Sequence, residues 1–212
     1  MESYFERLQK IGTAAVVDLR KLDSQHSEME RSYLEDRRKG NLTEKGYQEL
    51  SKTLDDIRSK KVKEINAQIA SVQKEYNAAV DEATAPNATM LDTGDVEILK
   101  NFELTAAEFD RMADKHRGNP TMCRFLDSYR KDHNVKTDWR YQSCEMRKDI
   151  FNSACSSVES IVKQMDKYNP NREGHIAMAI SRAYHKLQDS KSDIMPVPEG
   201  DTPVARHSSF FF

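Results

Sequence analysis

The sequence predicts an all-α protein: a long antiparallel, coiled-coil-like helical hairpin, then a compact bundle of shorter helices and a flexible C-terminal tail. Three observations predict this fold. Apolar residues recur every three or four positions along most of the chain, which is the period of one helix face. Two such stripes of similar length are separated by a short break at Gly40–Thr43. Charged residues make up 32% of the 212-residue chain and hydrophobic residues 37%, which favours elongated helices over one large core.

The first helical pattern runs from Glu2 to about Lys39. Gly40 suits a left-handed helix C-cap, and the hydroxyl of Thr43 can accept hydrogen bonds from the free amides that begin the next helix. The apolar stripe of this first helix consists of Leu8, Ile11, Ala15, Leu19, Leu22, His26, Met29 and Tyr33.

A second stripe of similar length follows the turn and extends to about residue 80. Neither helix can bury its stripe alone, so the two fold back on each other as a hairpin over residues 1–85. An antiparallel arrangement places Met29 or Tyr33 near Leu50 or Leu54. Two helices leave one flank of each stripe open, so we expect a homo-oligomer, and a smaller monomer once residues 1–84 are removed. The second stripe consists of Tyr47, Leu50, Leu54, Ile57, Val62, Ile65, Ile69, Val72, Tyr76 and Val80.

The second half of the chain contains shorter helical patterns with clear boundaries. A linker over 86–94 precedes a small helical bundle over 95–190, and a flexible tail is predicted over 191–212. Thr105–Glu108 fits a capping box, and Asn119 followed by Pro120 fits a second helix start. The longest helix of this half is predicted from Asp138 to about Tyr168. The predicted core consists of Trp139, Ile150, Phe151, Val158 and Ile161, packed against Phe109, Phe125 and Ile180.

The composition and motifs favour a role without catalysis. The formal net charge is −2, so the whole molecule has no strong field towards nucleic acid or an anionic membrane. The chain has no glycine-rich phosphate loop, HExxH or nucleophile elbow, and its histidines lack metal-ligand spacing. Cys123, Cys144 and Cys155 form no CxxC pair, and no apolar run approaches the roughly 18 residues that span a bilayer. We therefore expect no enzyme activity, cofactor, metal or membrane span, and a cytoplasmic location.

One region carries a local excess of positive charge. From Arg111 to Lys148 there are ten Lys or Arg residues and five Asp or Glu residues. Its two short helices are loosely similar to a helix-turn-helix, in which the second helix enters the major groove. Asp127 and Asp132 on the same helix favour a solvated charged face instead. The alternative function is a regulator or inhibitor that binds a host protein or nucleic acid here; the candidate contacts are Arg124, Arg130, Lys131 and Arg140.

The sequence ends in Phe210, Phe211 and Phe212 after a segment that contains Ser, Pro, Gly and Asp. Three consecutive aromatic residues on a flexible segment predict a partner-binding peptide that inserts its rings into a pocket of another protein. Packing of the same rings onto the protein's own helices is the other interpretation. The sequence leaves both open.

Two stretches, Gly40–Tyr47 (GNLTEKGY) and Phe102–Phe109 (FELTAAEF), resemble helical structural and scaffolding-type assembly proteins of tailed bacteriophages and prophages. The resemblance implies a non-enzymatic role in which the protein binds capsid or other virion proteins and controls their assembly, in the host cytoplasm or the virion. Scaffolding proteins commonly engage the coat protein through a basic C-terminal segment. Beyond Lys191, only Arg206 and His207 supply positive charge in this tail.

Overall fold

The computed structural model describes residues 3–164 and 172–188, and these confirm the all-α class. A long hairpin is followed by five shorter helices, with one short 3-10 turn over Ala88–Met90. The helices are α1 (Tyr4–Arg38), α2 (Glu44–Thr84), α3 (Thr93–Asn101), α4 (Ala106–Lys115), α5 (Pro120–Asp132), α6 (Cys144–Lys163) and α7 (Arg172–Gln188).

The turn between α1 and α2 forms as the sequence predicts. Gly40 has φ +78°, a conformation that favours glycine. The Gly40 N–H donates to Arg37 O (3.1 Å) and the Asn41 N–H donates to Asp36 O (2.8 Å), which is the Schellman pattern. Thr43 Oγ1 accepts from the Gly46 N–H at 3.2 Å and caps the start of α2. The chain can therefore reverse over a few residues.

Ion pairs between the two arms confirm the antiparallel hairpin. Arg37 pairs with Glu44 beside the turn, Arg58 with Asp23 at 3.2 Å, and Lys61 with Asp18 at 2.7 Å. As the residue number falls along α1, that of the partner rises along α2, which only antiparallel helices produce.

Burial changes sharply along the hairpin. Near its open end both helices carry buried apolar side chains, among them Leu8, Leu19, Ile69 and Val72. Between Arg20 and Glu64 no residue is buried. We call residues 20–64 the distal arm. At its base Arg20 pairs with Glu173 of α7 at 2.9 Å.

The described residues form two compact units, each assembled from separate stretches of chain. One unit contains 3–6, 74–152 and 182–188; the other contains 7–73, 153–164 and 172–181. In the second unit, Gly12 of α1 permits a close approach of α6 and α7. A Cβ atom at this position would lie 2.8 Å from Ile176 Cγ2 and 3.2 Å from Val158 Cγ1. The domain limits predicted at residues 85, 95 and 190 stay a prediction.

The first unit contains two aromatic groups. Phe151 stacks on Tyr76 with 4.0 Å between ring centroids, and Phe5 meets it edge-on at 5.0 Å. Phe109 and Trp139 make an edge contact at 5.6 Å in a separate cluster. That cluster consists of Leu99, Phe109, Ala113, Cys123, Leu126, Tyr129 and Trp139.

The structure corrects several details of the predicted core. Phe125 is 42% exposed instead of buried, and Ile150 and Ile161 are only half-buried. Phe151 packs on Phe5 and Tyr76 rather than on Phe109. Trp139, Phe151, Val158, Phe109 and Ile180 are buried as predicted.

Helix α6 begins at Cys144, not at Asp138 as the sequence predicted. Ser143 supplies the start, since its hydroxyl accepts from the Met146 N–H at 3.2 Å. Trp139 lies before the helix, where its backbone N–H donates to Thr137 Oγ1. The predicted starts of α4 and α5 are confirmed: the Thr105–Glu108 capping box is complete, and Asn119 caps α5 ahead of Pro120.

Candidate functional site

The distal arm carries a groove of about 390 Å³ between its two helices. Two large apolar side chains on it are partly open to solvent: Met29 is 40% exposed and Ile57 is 48% exposed. Met29 and Leu54 line the same groove, as the predicted hairpin register requires. The lining residues are Leu22, Asp23, Gln25, His26, Glu28, Met29, Leu54, Ile57 and Arg58.

The groove follows from the sequence of the two helices. Leu22, His26 and Met29 belong to the apolar stripe of α1, and Leu54 and Ile57 belong to that of α2. Nearer the open end of the hairpin, α1 packs against α6 and α7, as the close approach of Val158 and Ile176 to Gly12 shows. No residue of the distal arm is buried by the part of the chain that the structure describes, so the two stripes meet along one edge and leave the other edge partly exposed.

Polar residues complete the groove walls. Asp23 and Arg58 line it and pair with each other across the two helices, with side chains 15% and 27% exposed. The stripe pattern did not identify these two residues or Gln25, because polar positions carry no apolar period. The only sequence signal for these residues is that each is next to a position of the stripe.

A second polar cluster joins the start of α3 to the end of α4. Asp92 caps α3, with its Oδ1 accepting from the Asp95 N–H at 3.1 Å. Lys115 Nζ lies 3.0 Å from Asp92 Oδ2 and 2.7 Å from Asp95 Oδ2, and His116 Nε2 lies 2.6 Å from that same Asp95 oxygen. Carboxylates at a helix N-terminus and cations at a C-terminus both complement the helix dipoles.

This cluster also brings together three residues of the types that bind metal ions, which the sequence analysis did not identify. Ligand atoms of Asp92, Asp95 and His116 lie within 4.8 Å of one another. The ammonium group of Lys115 already lies against both carboxylates and supplies the positive charge that an ion would. The hydrogen bonds that Lys115 donates to Asp95 and Asp92 raise the pKa of the lysine above its usual value, so it stays charged at neutral pH. We interpret the cluster as a bridge that joins two helix ends.

The residues predicted to contact nucleic acid bond to the protein's own groups. Arg124 donates to Thr84 O at 3.1 Å, and Arg140 donates to Thr137 O at 2.7 Å. Arg130 and Lys131 both pair with Asp127, at 3.1 and 2.5 Å. Each of these cations therefore already has a partner within the protein. Phe210, Phe211 and Phe212, the predicted partner-binding residues, lie outside the described residues.

The three cysteines lie inside the protein. All three are buried and form no disulfide. Burial, with a smaller contribution from the charge of Glu159, raises the pKa of Cys155 to about 12. A thiol with that pKa stays protonated at neutral pH and is a poor nucleophile.

Comparisons with known proteins give no relative. No protein-family model matches the chain, and neither a curated protein nor a solved structure does. None of the described helices is both long enough and apolar enough to cross a membrane.

Proposed function

We propose that the protein is a non-enzymatic binding and assembly protein that contacts other proteins through its distal arm. The observation that carries the proposal is the absence of any buried residue between Arg20 and Glu64, although both helices carry apolar stripes there. Apolar groups left uncovered on a helix pair are typical of a surface that another protein covers.

The partner class follows from the resemblance to phage structural and scaffolding-type proteins. Capsid or other virion proteins are the proposed partners, and control of their assembly is the proposed role. The Phe210–Phe212 tail is proposed as a second contact. A helical arm and a tail on one chain would bind the same assembly at two points, which raises avidity without a larger interface.

The test is a variant with a shortened arm. Deleting 24–34 and 47–57 together removes facing segments of equal length, because Asp23 pairs with Arg58 just below them and Arg37 with Glu44 just above. Eleven residues make about three helical turns, so the remaining faces stay in register to roughly 20°. No buried residue is removed, and we expect helicity per residue and the melting temperature to stay close to those of the full-length protein.

The measurement is cross-linking with mass spectrometry in lysate of the native host. We expect the full-length protein to link to virion proteins from Lys21 and Lys60 in the distal arm, and the shortened variant to lose those links. Identical cross-links from both proteins, or partners unrelated to virions, would contradict the proposal. A regulator that binds nucleic acid would lose affinity steeply as the salt concentration rises. Such a loss would favour the regulator function.

A further inference from the structure

The apolar part of the groove is about as long as a short peptide. Leu22 and Met29 line it seven residues apart on α1, which corresponds to about 10 Å along the helix. Leu54 and Ile57 of α2 line the same groove. Its volume of about 390 Å³ lies within the range of pockets that bind ligands. Met29 and Ile57 are both exposed, so the described chain leaves the groove open.

The residues that line the groove carry one net negative charge, with histidine counted as neutral. Asp23 and Arg58 line it and neutralise each other as an ion pair at 3.2 Å. Glu28 also lines the groove and is exposed, and it makes no ion pair within the part of the chain that the structure describes. The lining therefore suits an occupant that brings apolar side chains and one positive charge.

Residues 206–212 (RHSSFFF) supply such an occupant. They contain one arginine, three phenylalanines and no acidic residue, and they lie outside the described residues. In an extended chain, alternate side chains lie about 7 Å apart on the same side, so Phe210 and Phe212 fit within a stretch of about 10 Å. Arg206 precedes the rings by four residues, so the rings and the positive charge can reach the groove together.

The chain between α7 and the rings is long enough to reach the groove. Glu173, in the first turn of α7, pairs with Arg20, two residues from Leu22 of the groove. From Glu173 to its end at Gln188, α7 extends about 23 Å. Residues 189–209 can span up to about 70 Å, roughly three times that distance. A tether of this order gives an effective concentration of about 1 mM, so a contact with a dissociation constant near 100 μM is occupied in about nine molecules out of ten.

We propose that residues 206–212 occupy the groove of their own chain until a partner protein replaces them, with the phenylalanine rings against Leu22 and Met29 and Arg206 beside Glu28. The contact is autoinhibitory, because it covers the apolar groups that bind a partner. The groove of a second copy would bring the same net negative charge instead of a positive one. This inference rests on the proposed function, since it names what covers the distal arm before the assembly does. A partner that takes the groove releases the rings for the second contact.

The first test is binding of a separate peptide. A full-length acceptor protein carries Phe210→Ser, Phe211→Ser and Phe212→Ser, and a fluorescently labelled peptide of residues 202–212 is titrated into it. Fluorescence anisotropy gives the dissociation constant. We expect a value of about 100 μM for the acceptor and at least about tenfold weaker binding to the wild-type protein, whose own segment competes. Equal affinities, or no binding to the acceptor, would overturn the inference.

The second test places the peptide in the groove. In the acceptor, Met29→Glu with Ile57→Glu should raise the dissociation constant at least about tenfold, because both side chains line the groove. The matched control is Val17→Glu with Met178→Glu, two side chains that are 56% and 50% exposed and do not line the groove. This control should bind the peptide as the acceptor does. Equal effects of the two pairs would contradict binding in the groove.

A charge exchange separates recognition from damage to the fold. Glu28→Arg in the acceptor should weaken binding about twofold to fivefold, which is the range for an exposed ion pair. A peptide with Arg206→Glu should restore the affinity for this variant. A loss that the exchanged peptide does not restore would reject the pairing of Arg206 with Glu28.

Photocross-linking locates the segment in the intact protein. With p-benzoylphenylalanine in place of Phe211, we expect links within one copy to residues 22–29 or 54–58. Links to other helices, or between two copies, would overturn the inference. If the segment fails these tests while the shortened arm still loses its virion-protein links, the proposed function stands and the autoinhibitory contact is wrong. If the segment binds the groove but the arm links to no virion protein, the contact stands and the proposed function is wrong.

Discussion

Phe151 shows how one side chain holds distant parts of the chain together. It is fully buried, stacked on Tyr76 of α2 and edge-on to Phe5 of α1. We expect Phe151→Ala to lower the free energy of unfolding by about 3 kcal/mol, through lost transfer energy and the cavity left behind. Phe125→Ala, at an exposed site on α5, should cost less than about 1 kcal/mol. Urea denaturation measures both; equal losses would show that the Phe151 site collapses around the cavity.

Replacing Gly12 with alanine has two effects of opposite sign on the stability of the protein. Alanine in a helix is favoured over glycine by about 1 kcal/mol. Its Cβ would lie 2.8 Å from Ile176 Cγ2, however, and Val158 and Ile176 are both fully buried and have little room to move. We expect overpacking to prevail and Gly12→Ala to destabilise the protein by about 1–2 kcal/mol.

The matched control for that substitution is Gly94→Ala. A Cβ at Gly94 would meet Asp92 Oδ1 at 3.5 Å, an ordinary contact, near the exposed start of α3. This variant should be neutral or slightly more stable. A Gly12→Ala protein with a raised melting temperature would show that α6 and α7 can move apart at little cost.

The Asp95 carboxylate makes stability depend on pH. Burial opposes its ionisation, but hydrogen bonds from Lys115 and His116 outweigh that effect, and the pKa of Asp95 lies below its usual value. A carboxyl group with a lowered folded-state pKa contributes stability above its ordinary pKa, near 4, and loses it as pH falls through the folded value. As the pH is lowered past about 4, we expect the melting temperature of the wild-type protein to fall. The fall should be smaller in Asp95→Asn. The exposed Asp132→Asn should keep the wild-type dependence.

At the scale of helices, the two ends of α2 lie in different environments. Its Ile65–Val80 part contributes buried side chains, whereas Glu44–Glu64 contributes none. Amide protection follows local packing, so hydrogen exchange should be slow in the first stretch and faster by orders of magnitude in the second. The measurement is made at low protein concentration. Raising the concentration should slow exchange in the distal arm if a second copy covers it; equal protection along α2 in the monomer would contradict the burial difference.

The helices differ in how far the sequence could predict them. The stripes of α1 and α2 and the turn at Gly40 predict the hairpin, because periodicity and turn chemistry are local properties. The same reasoning extended α6 back to Asp138, since Trp139 has the right spacing for its stripe. The Thr137 and Ser143 hydroxyls, which bond to backbone amides, decided the start of α6 instead. Phe125 was placed in the core because its ring is apolar, yet it lies on the solvent side of α5.

The groove was predictable only in part. The open flank of a two-helix hairpin follows from the stripes, and five of the lining residues belong to them. The Asp92–Asp95–Lys115–His116 cluster was not predicted, because its bonds join residues 20 or more positions apart at two helix ends. Its parts were visible as an N-cap and a basic helix end. Their contact depends on packing that no local pattern encodes.

For the whole molecule, the aromatic packing changes the expectation for a fragment that lacks residues 1–84. Phe5 and Tyr76 would be gone, and Phe151 would face water. We expect a fragment over 85–212 to lose the helicity of α6 and to aggregate, while the shortened-arm variant folds. Circular dichroism and size-exclusion chromatography compare the two. A soluble, helical monomer from 85–212 would show that α6 needs neither ring.

The contact between Phe5 and Phe151 also delays completion of this part of the core during translation. Phe5 leaves the ribosome 146 positions before its partner. At roughly 5–20 residues per second, α1 and α2 wait on the order of ten seconds before α6 can cover them. During that interval the nascent hairpin exposes Phe5, Tyr76 and the apolar stripes of the distal arm together. Neighbouring chains on one polysome would expose the same apolar stripes at high local concentration. Contacts between two distal arms can therefore form before either chain is complete.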